Sequence, residues 1–235
     1  MKIDILTLFP KMFKPILAES IIKRAQNKKL AEINTYNLRD WATDKHGTVD
    51  DTPYGGGAGM ILKVDVVDHA IADICSNCSS CSSCSKCNSG KQSDRATSTC
   101  KIILLTPKGK KFTQKIAKTF SCYSHIILIC GHYGGFDERI RQLVDMEISL
   151  GDFVLTGGEI PAMAIIDAVT RLIPGVINNE SLKNETHSKK GYIQFPQYTK
   201  PANYKPLSTE CTNLKTPDVL LSGNHEKINN WRKNQ

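Results

Sequence analysis

Apolar residues recur along the chain in two rhythms, short solid runs and helical stripes. Lys2–Phe9 (KIDILTLF) is a β-rich run ended by Pro10. Leu17, Ile21, Ile22 and Ala25 keep helical spacing within Ile16–Gln26, and Ile33–Leu38 is a second strand candidate. This β-α-β opening predicts a parallel sheet. Lys63–Ile74 reads as an amphipathic helix. Lys101–Leu105 (KIILL) and His125–Cys130 (HIILIC) are solid apolar runs of the kind buried strands carry. Lys111–Phe120 and Asp137–Val144 are helix candidates, and Met146–Ser149 leads into a glycine-rich centre. Glu159–Ile173 places apolar residues at 162, 165, 166, 169, 172 and 173, one continuous face, and Pro174–Gly175 stops it. Asn178–Lys190 is polar and aperiodic, a linker candidate. The tail 191–235 holds FPQYTKP and a final short helix with Ile228 and Trp231 one turn apart.

The polar breaks carry the chemistry. Leu150–Pro161 (LGDFVLTGGEIP) is a short apolar run, Phe153–Leu155, flanked by Gly151, Gly157 and Gly158, with Asp152 near its start. Glu159 and Pro161 suit the first turn of a helix. A strand end, a glycine turn and a helix start make a rim lined with free backbone N–H and C=O groups. Thr106–Gly109 (TPKG) and Gly131–Gly135 (GHYGG) follow the two other buried strands in the same manner. Turns at strand C-termini of a parallel sheet gather on one edge, where ligands bind. A second glycine-rich stretch, Thr48–Met60 (TVDDTPYGGGAGM), has neither the spacing of a dinucleotide fingerprint nor the Gly-Lys-Ser/Thr of a phosphate loop. It reads as a backbone-rich clamp with Asp50, Asp51 and Tyr54 as polar handles.

Cys75–Cys100 repeats cysteine every third residue from Cys75 to Cys87 among serines. Structural zinc sites use two Cys pairs separated by a loop, and no apolar residues here would shield an iron–sulfur cluster. The stretch reads as a solvated low-complexity insertion, and no metal ligands are assigned. With 235 residues, 40% of them hydrophobic, the chain fits one domain plus a small second one. A net charge of +8 suits a polyanionic partner. No apolar run reaches bilayer length and the N-terminus lacks a signal-peptide core, so a soluble cytoplasmic protein with reduced cysteines is expected.

LFPKMF, VDDTPYGGGAGM, LTPKGKKF, CGHYGGFDER, LGDFVLTGGEIPAM, DAVTRLIPGV, FPQYTKP and LLSGNHEKINNWR, in that order, resemble the bacterial tRNA (guanine-N1)-methyltransferase family. The resemblance implies an α/β methyltransferase of the SPOUT class with a parallel sheet and a deep trefoil knot. The expected domains are 1–177, with an insertion at 75–100, a linker 178–190, and a small, shortened, mainly helical tRNA-binding domain 191–235. It implies S-adenosylmethionine as donor, the guanosine 3′ to the anticodon as target, the anticodon stem-loop of tRNA as partner, and a homodimer with active sites between subunits. Carried over by position, the cofactor pocket comprises Leu105, Thr106 and Pro107; Gly131 and Tyr133; and Leu150, Gly151, Asp152, Phe153, Val154, Leu155, Gly157, Gly158 and Pro161. Arg171 takes the place of the catalytic arginine.

Neutral guanine carries a proton on N1, and its removal pushes charge onto O6. The reaction therefore needs a base near N1 and a fixed cation near O6. Arg171, forked and always charged, suits O6. The family's basic aspartate aligns with Thr186 in Glu185-Thr186-His187-Ser188, leaving Glu185 or His187 for the base, with Glu185 preferred. The family's Tyr-Glu-Gly reads Tyr133-Gly134-Gly135, and the chain stops soon after Trp231. A catalytically weakened relative that binds tRNA and donor is the alternative, and a nucleotide-binding α/β protein without methyl chemistry is a third.

Overall fold

The computed structural model describes residues 1–77, 100–189, 191–207 and 213–234. The expected insertion therefore lies outside the described residues, apart from its ends. The chain divides into two compact units, Met1–Asn179 and Glu180–Gln235.

The first unit is built on five parallel strands in the order β2-β1-β6-β5-β7: β1 (Lys2–Thr7), β2 (Glu32–Asn37), β5 (Cys100–Lys111), β6 (His125–Cys130) and β7 (Met146–Ser149). The α/β parallel-sheet expectation holds. A strand alternates its side chains between faces, so solid apolar runs serve two cores at once. In β6, Ile126, Leu128 and Cys130 enter one cluster while Ile127 and Ile129 enter the other. Ile103 and Leu105 of β5 face the first, Ile102 and Leu104 the second. The first cluster is closed by α2 (Ser20–Asn27), α4 (Gln114–Phe120) and α5 (Glu159–Thr170) through Ile22, Phe120, Ile165, Ile166 and Val169. The second is closed by α3 (Val64–Ser76). A short antiparallel pair, β3 (Asp50–Asp51) and β4 (Ile61–Leu62), frames the glycine-rich loop.

Several elements depart from expectation. The helix expected over Ile16–Gln26 is broken into α1 (Lys14–Leu17) and α2, because Ser20, where α2 begins, takes a left-handed φ of 54°. The turn expected at Thr106–Gly109 is an irregularity inside β5. Pairing with β7 stops at Leu105 and resumes at Lys110↔Ile148. Gly109 makes this return fit, since a Cβ there would lie 2.5 Å from the Ile148 nitrogen. The stretch Asp137–Val144 forms only a 3₁₀ turn, Glu138–Gln142. Phe153–Leu155 is loop, with Val154 83% exposed, so the strand before the central turn ends at Ser149. Cys75 and Cys100, the expected ends of the solvated insertion, belong instead to the core.

The second unit opens with α6 (Asn179–Lys183) within the stretch expected to be linker, and continues with the two-stranded pair β8 (Asn203–Tyr204) and β9 (Leu214–Lys215). It ends in α7 (Asp218–Leu221) and α8 (His225–Lys233). Trp231 of α8 packs at 6.4 Å from Tyr198, and the Arg232 guanidinium lies 4.8 Å from the Phe195 ring centre. Aromatic and cation–π packing thus substitutes for a core too small to hold this unit by aliphatic burial alone.

Candidate functional site

The exits of β5, β6 and β7, neighbours in the sheet, line one open cleft. Leu105, Thr106 and Pro107 line it from the β5 irregularity, Gly131 and Tyr133 from the β6 exit, and Leu150, Phe153, Val154 and Leu155 from the β7 exit. Gly157, Gly158 and Pro161 close it at the start of α5. Gly151 and Asp152 are outside the lining. Asp152 points to solvent, in an ion pair with Lys111, and Gly151 lies under the Phe153 ring.

Glycine at the floor is a packing requirement. A Cβ on Gly158 would fall 2.6 Å from the Cys130 Cα, and one on Gly131 would fall 2.3 Å from the Phe136 ring. The Gly158 N–H donates to the Gly131 carbonyl at 2.7 Å, tying the third exit to the second. Tyr133 takes a left-handed φ of 61°, a conformation that side chains seldom adopt, and its hydroxyl meets Arg39 Nη2 at 3.5 Å. Gly134 and Gly135 hang the clamp loop on the cleft. Gly134 N–H donates to the Met60 carbonyl, Leu62 N–H to Gly135, and Asp137 N–H to Leu62. A Cβ at 134, where the resembling motif carries glutamate, would press on the Met60 oxygen at 3.0 Å.

Two features of the floor escaped the sequence reading. His132 lines the cleft between Tyr133 and Phe9, edge-on to both, and Glu159 is buried behind it rather than solvated. Thr7 Oγ donates to Glu159 Oε1 at 2.8 Å, while Glu159 Oε2 lies 3.9 Å from His132 Nδ1. The signal was present in GHYGG and in the acid opening α5. An acid in a first helical turn is ordinarily read as a surface dipole partner, and sequence does not say which way it faces.

Arg171 follows the last residue of α5, ten residues beyond Pro161. At 1.5 Å per residue that is about 15 Å along the axis from the cleft. Glu185 and its neighbours lie in the second unit. Thr186 Oγ accepts the Gln194 N–H at 3.1 Å, so its side chain serves the local fold. His187 has a left-handed φ of 65° and its N–H donates to the Tyr192 carbonyl.

A third cluster sits at the opposite edge of the sheet. His125, first in β6, has Nε2 2.8 Å from Asp4 Oδ2 and Nδ1 3.4 Å from Cys100 Sγ, all three side chains fully buried. Burial opposes the charged ring, yet the bonds to Asp4 and Cys100 push the His125 pKa up to about 10. For Asp4, burial also works against charge, but the bonds from His125, Asn34 and Lys2 outweigh it and hold the carboxyl below its usual range.

A parallel α/β sheet with a glycine-floored, largely apolar cleft at three adjacent strand exits has the architecture of an α/β protein with its ligand cleft at the carboxyl edge of the sheet. The family follows from comparison. A family model described as tRNA (Guanine-1)-methyltransferase TrmD matches residues 1–235. The tRNA (guanine-N(1)-)-methyltransferase of Staphylococcus carnosus is 48% identical over 236 residues, covering 100% of this chain and 85% of that protein. Its namesakes from Dictyoglomus turgidum and Bacillus subtilis are 46% and 47% identical, with 84% and 86% of their lengths covered. The chain belongs to the tRNA (guanine-N1)-methyltransferase family. Among the described residues, no helix is long and apolar enough to cross a membrane.

Proposed function

We propose that the protein transfers a methyl group from S-adenosylmethionine to N1 of guanosine in tRNA, at the position just 3′ of the anticodon, position 37. The observation that carries this reading is the single cleft formed by three strand exits in a chain of this family. Its floor is bare backbone where any Cβ would intrude, which suits a flat adenine edge and a folded donor. S-adenosylmethionine, when bound, supplies a methyl group already activated on a sulfonium. Gly131, Leu150, Leu155 and Gly157 are the residues proposed to hold it through backbone groups.

The protein's own groups then handle proton and charge. The Arg171 guanidinium holds the negative charge that develops on O6, and Glu185 accepts the N1 proton. Arg171 is about a helix length from the cleft of its own chain, which supports a homodimer in which it acts on the partner's cleft. The second unit, residues 180–235, brings the anticodon stem-loop with its lysines and exposed aromatics. Reactants that are all found in the cytoplasm place the work there.

The test is mass analysis of unmodified tRNA after incubation with the protein and donor, with the modified nucleotide located. One added methyl on N1 of that guanosine supports the proposal. Donor binding without any methylated product would favour a tRNA-binding relative that has lost catalysis.

A further inference from the structure

Among the described residues lining the cleft, His132 is the one side chain able to carry a positive charge, and no lining side chain is acidic. The methyl donor ends in a carboxylate, which a largely apolar cleft holds poorly without a cationic partner. Resting on the donor reading above, we infer that His132 is a specificity residue that grips this carboxylate, with Glu159 and Thr7 as positioning residues behind it.

The support is an ordered relay. Thr7 is fully buried and fixes one Glu159 oxygen through its hydroxyl at 2.8 Å. The other oxygen lies 3.9 Å from His132 Nδ1, a buried nitrogen with no hydrogen-bond partner. At that distance the carboxylate acts on the ring through its charge rather than through a hydrogen bond, and it stands on the Nδ1 side. The opposite nitrogen, Nε2, is turned away from Glu159 and donates to the ligand carboxylate when the ring carries a proton on both nitrogens. Phe9 and Tyr133, with ring centres at 4.9 and 5.4 Å, restrict the imidazole to small rotations. Gly157 keeps the relay open, because a Cβ there would lie 2.2 Å from Glu159 Oε2 and 2.7 Å from His132 Nδ1. The groups facing His132 are Glu159 from α5, the Tyr133 hydroxyl with Arg39 against it, and the apolar Phe9.

Calorimetry on the full chain tests this with two ligands, S-adenosylhomocysteine and its decarboxylated analogue. The parent should prefer the carboxylate-bearing ligand by about tenfold to a hundredfold, the range of a charge-assisted hydrogen bond. His132→Phe, which keeps the ring packing, should bind the two ligands equally. If the parent binds the two equally, or if His132→Phe weakens both alike, the inference is overturned while the donor reading stands. If His132→Phe leaves the pair untouched but weakens tRNA binding, the anion is a backbone phosphate and the assignment to the donor is wrong. If neither ligand binds the parent, the donor reading itself fails.

Discussion

Gly158→Ala adds one methyl group where the start of α5 presses on the backbone of the β6 exit. Gly158 has φ −81° and ψ −4°, which alanine adopts freely, so the whole effect is steric. The new Cβ would lie 2.6 Å from the Cys130 Cα, 2.8 Å from the Gly131 nitrogen and 3.1 Å from the Cys130 carbonyl carbon. Carbon atoms rest at about 3.5–4.0 Å, so the start of α5 and the β6 exit must separate by about 1 Å. Forcing a methyl group into a packed site costs about 1–3 kcal/mol, and weakening the 2.7 Å bond from Gly158 N–H to Gly131 adds about 1 kcal/mol. The first unit should therefore lose about 2–4 kcal/mol. At about 2–4 °C per kcal/mol for a unit of this size, its melting temperature falls by about 4–16 °C. The same movement opens the cleft floor, so donor affinity should fall with stability. Gly151→Ala is the control. There the new Cβ meets only the Phe153 ring, which is 54% exposed and swings away, at a cost near 0.5 kcal/mol. Thermal unfolding and calorimetry of both variants decide the matter. Equal melting temperatures, or an unchanged donor affinity in Gly158→Ala, would refute the claim that bare backbone at this exit builds the site.

Further expectations follow from the buried His125–Asp4 cluster and from the groups proposed for catalysis. His125 has a raised pKa, so its contribution to stability is complete below about pH 6.5 and is lost as pH rises through about 10. Asp4 has a lowered one, so its contribution holds above about pH 4 and is lost in stronger acid. Melting temperatures should accordingly decline from pH 7 to pH 10, and His125→Gln, which leaves Asp4 only Lys2 and Asn34 as partners, should cost about 1–3 kcal/mol and flatten that decline. Arg171→Ala should abolish product formation with donor affinity unchanged. Mixing it with a Gly157→Val chain should restore about a quarter of the active sites if each site draws on two copies, and none if it does not. Glu185→Gln should lower the rate by about a hundredfold or more, while Thr186→Asp in that background should recover part of it, both read in single-turnover assays. Affinity for tRNA should drop steeply between low and moderate salt, and an affinity that stays level would contradict a basic docking surface.

The parallel sheet and the cleft edge were legible because solid apolar runs and glycine clusters have few other uses. KIILL and HIILIC admit little but buried strands, and each is followed by residues too small or too polar to continue inward. The continuation of β5 past Pro107 was hidden because a strand that leaves and rejoins its partner looks like a turn in sequence; only Gly109 marks it. The break at Ser20 was hidden for the converse reason, since the apolar spacing runs unbroken across it. Glu159, Asp4 and His125 were invisible as partners. Polar contacts between residues more than a hundred positions apart leave no local pattern, and each of these residues has an ordinary surface explanation until the fold buries it.

Three backbone bonds join Met60 and Leu62 to the segment Gly134–Asp137, so the exposed clamp and one wall of the cleft are a single mechanical piece. Pulling the clamp over a purine must tug that wall, and filling the cleft must stiffen the clamp. Each ligand's hold on the protein then bears on the other's through the main chain rather than through any side chain.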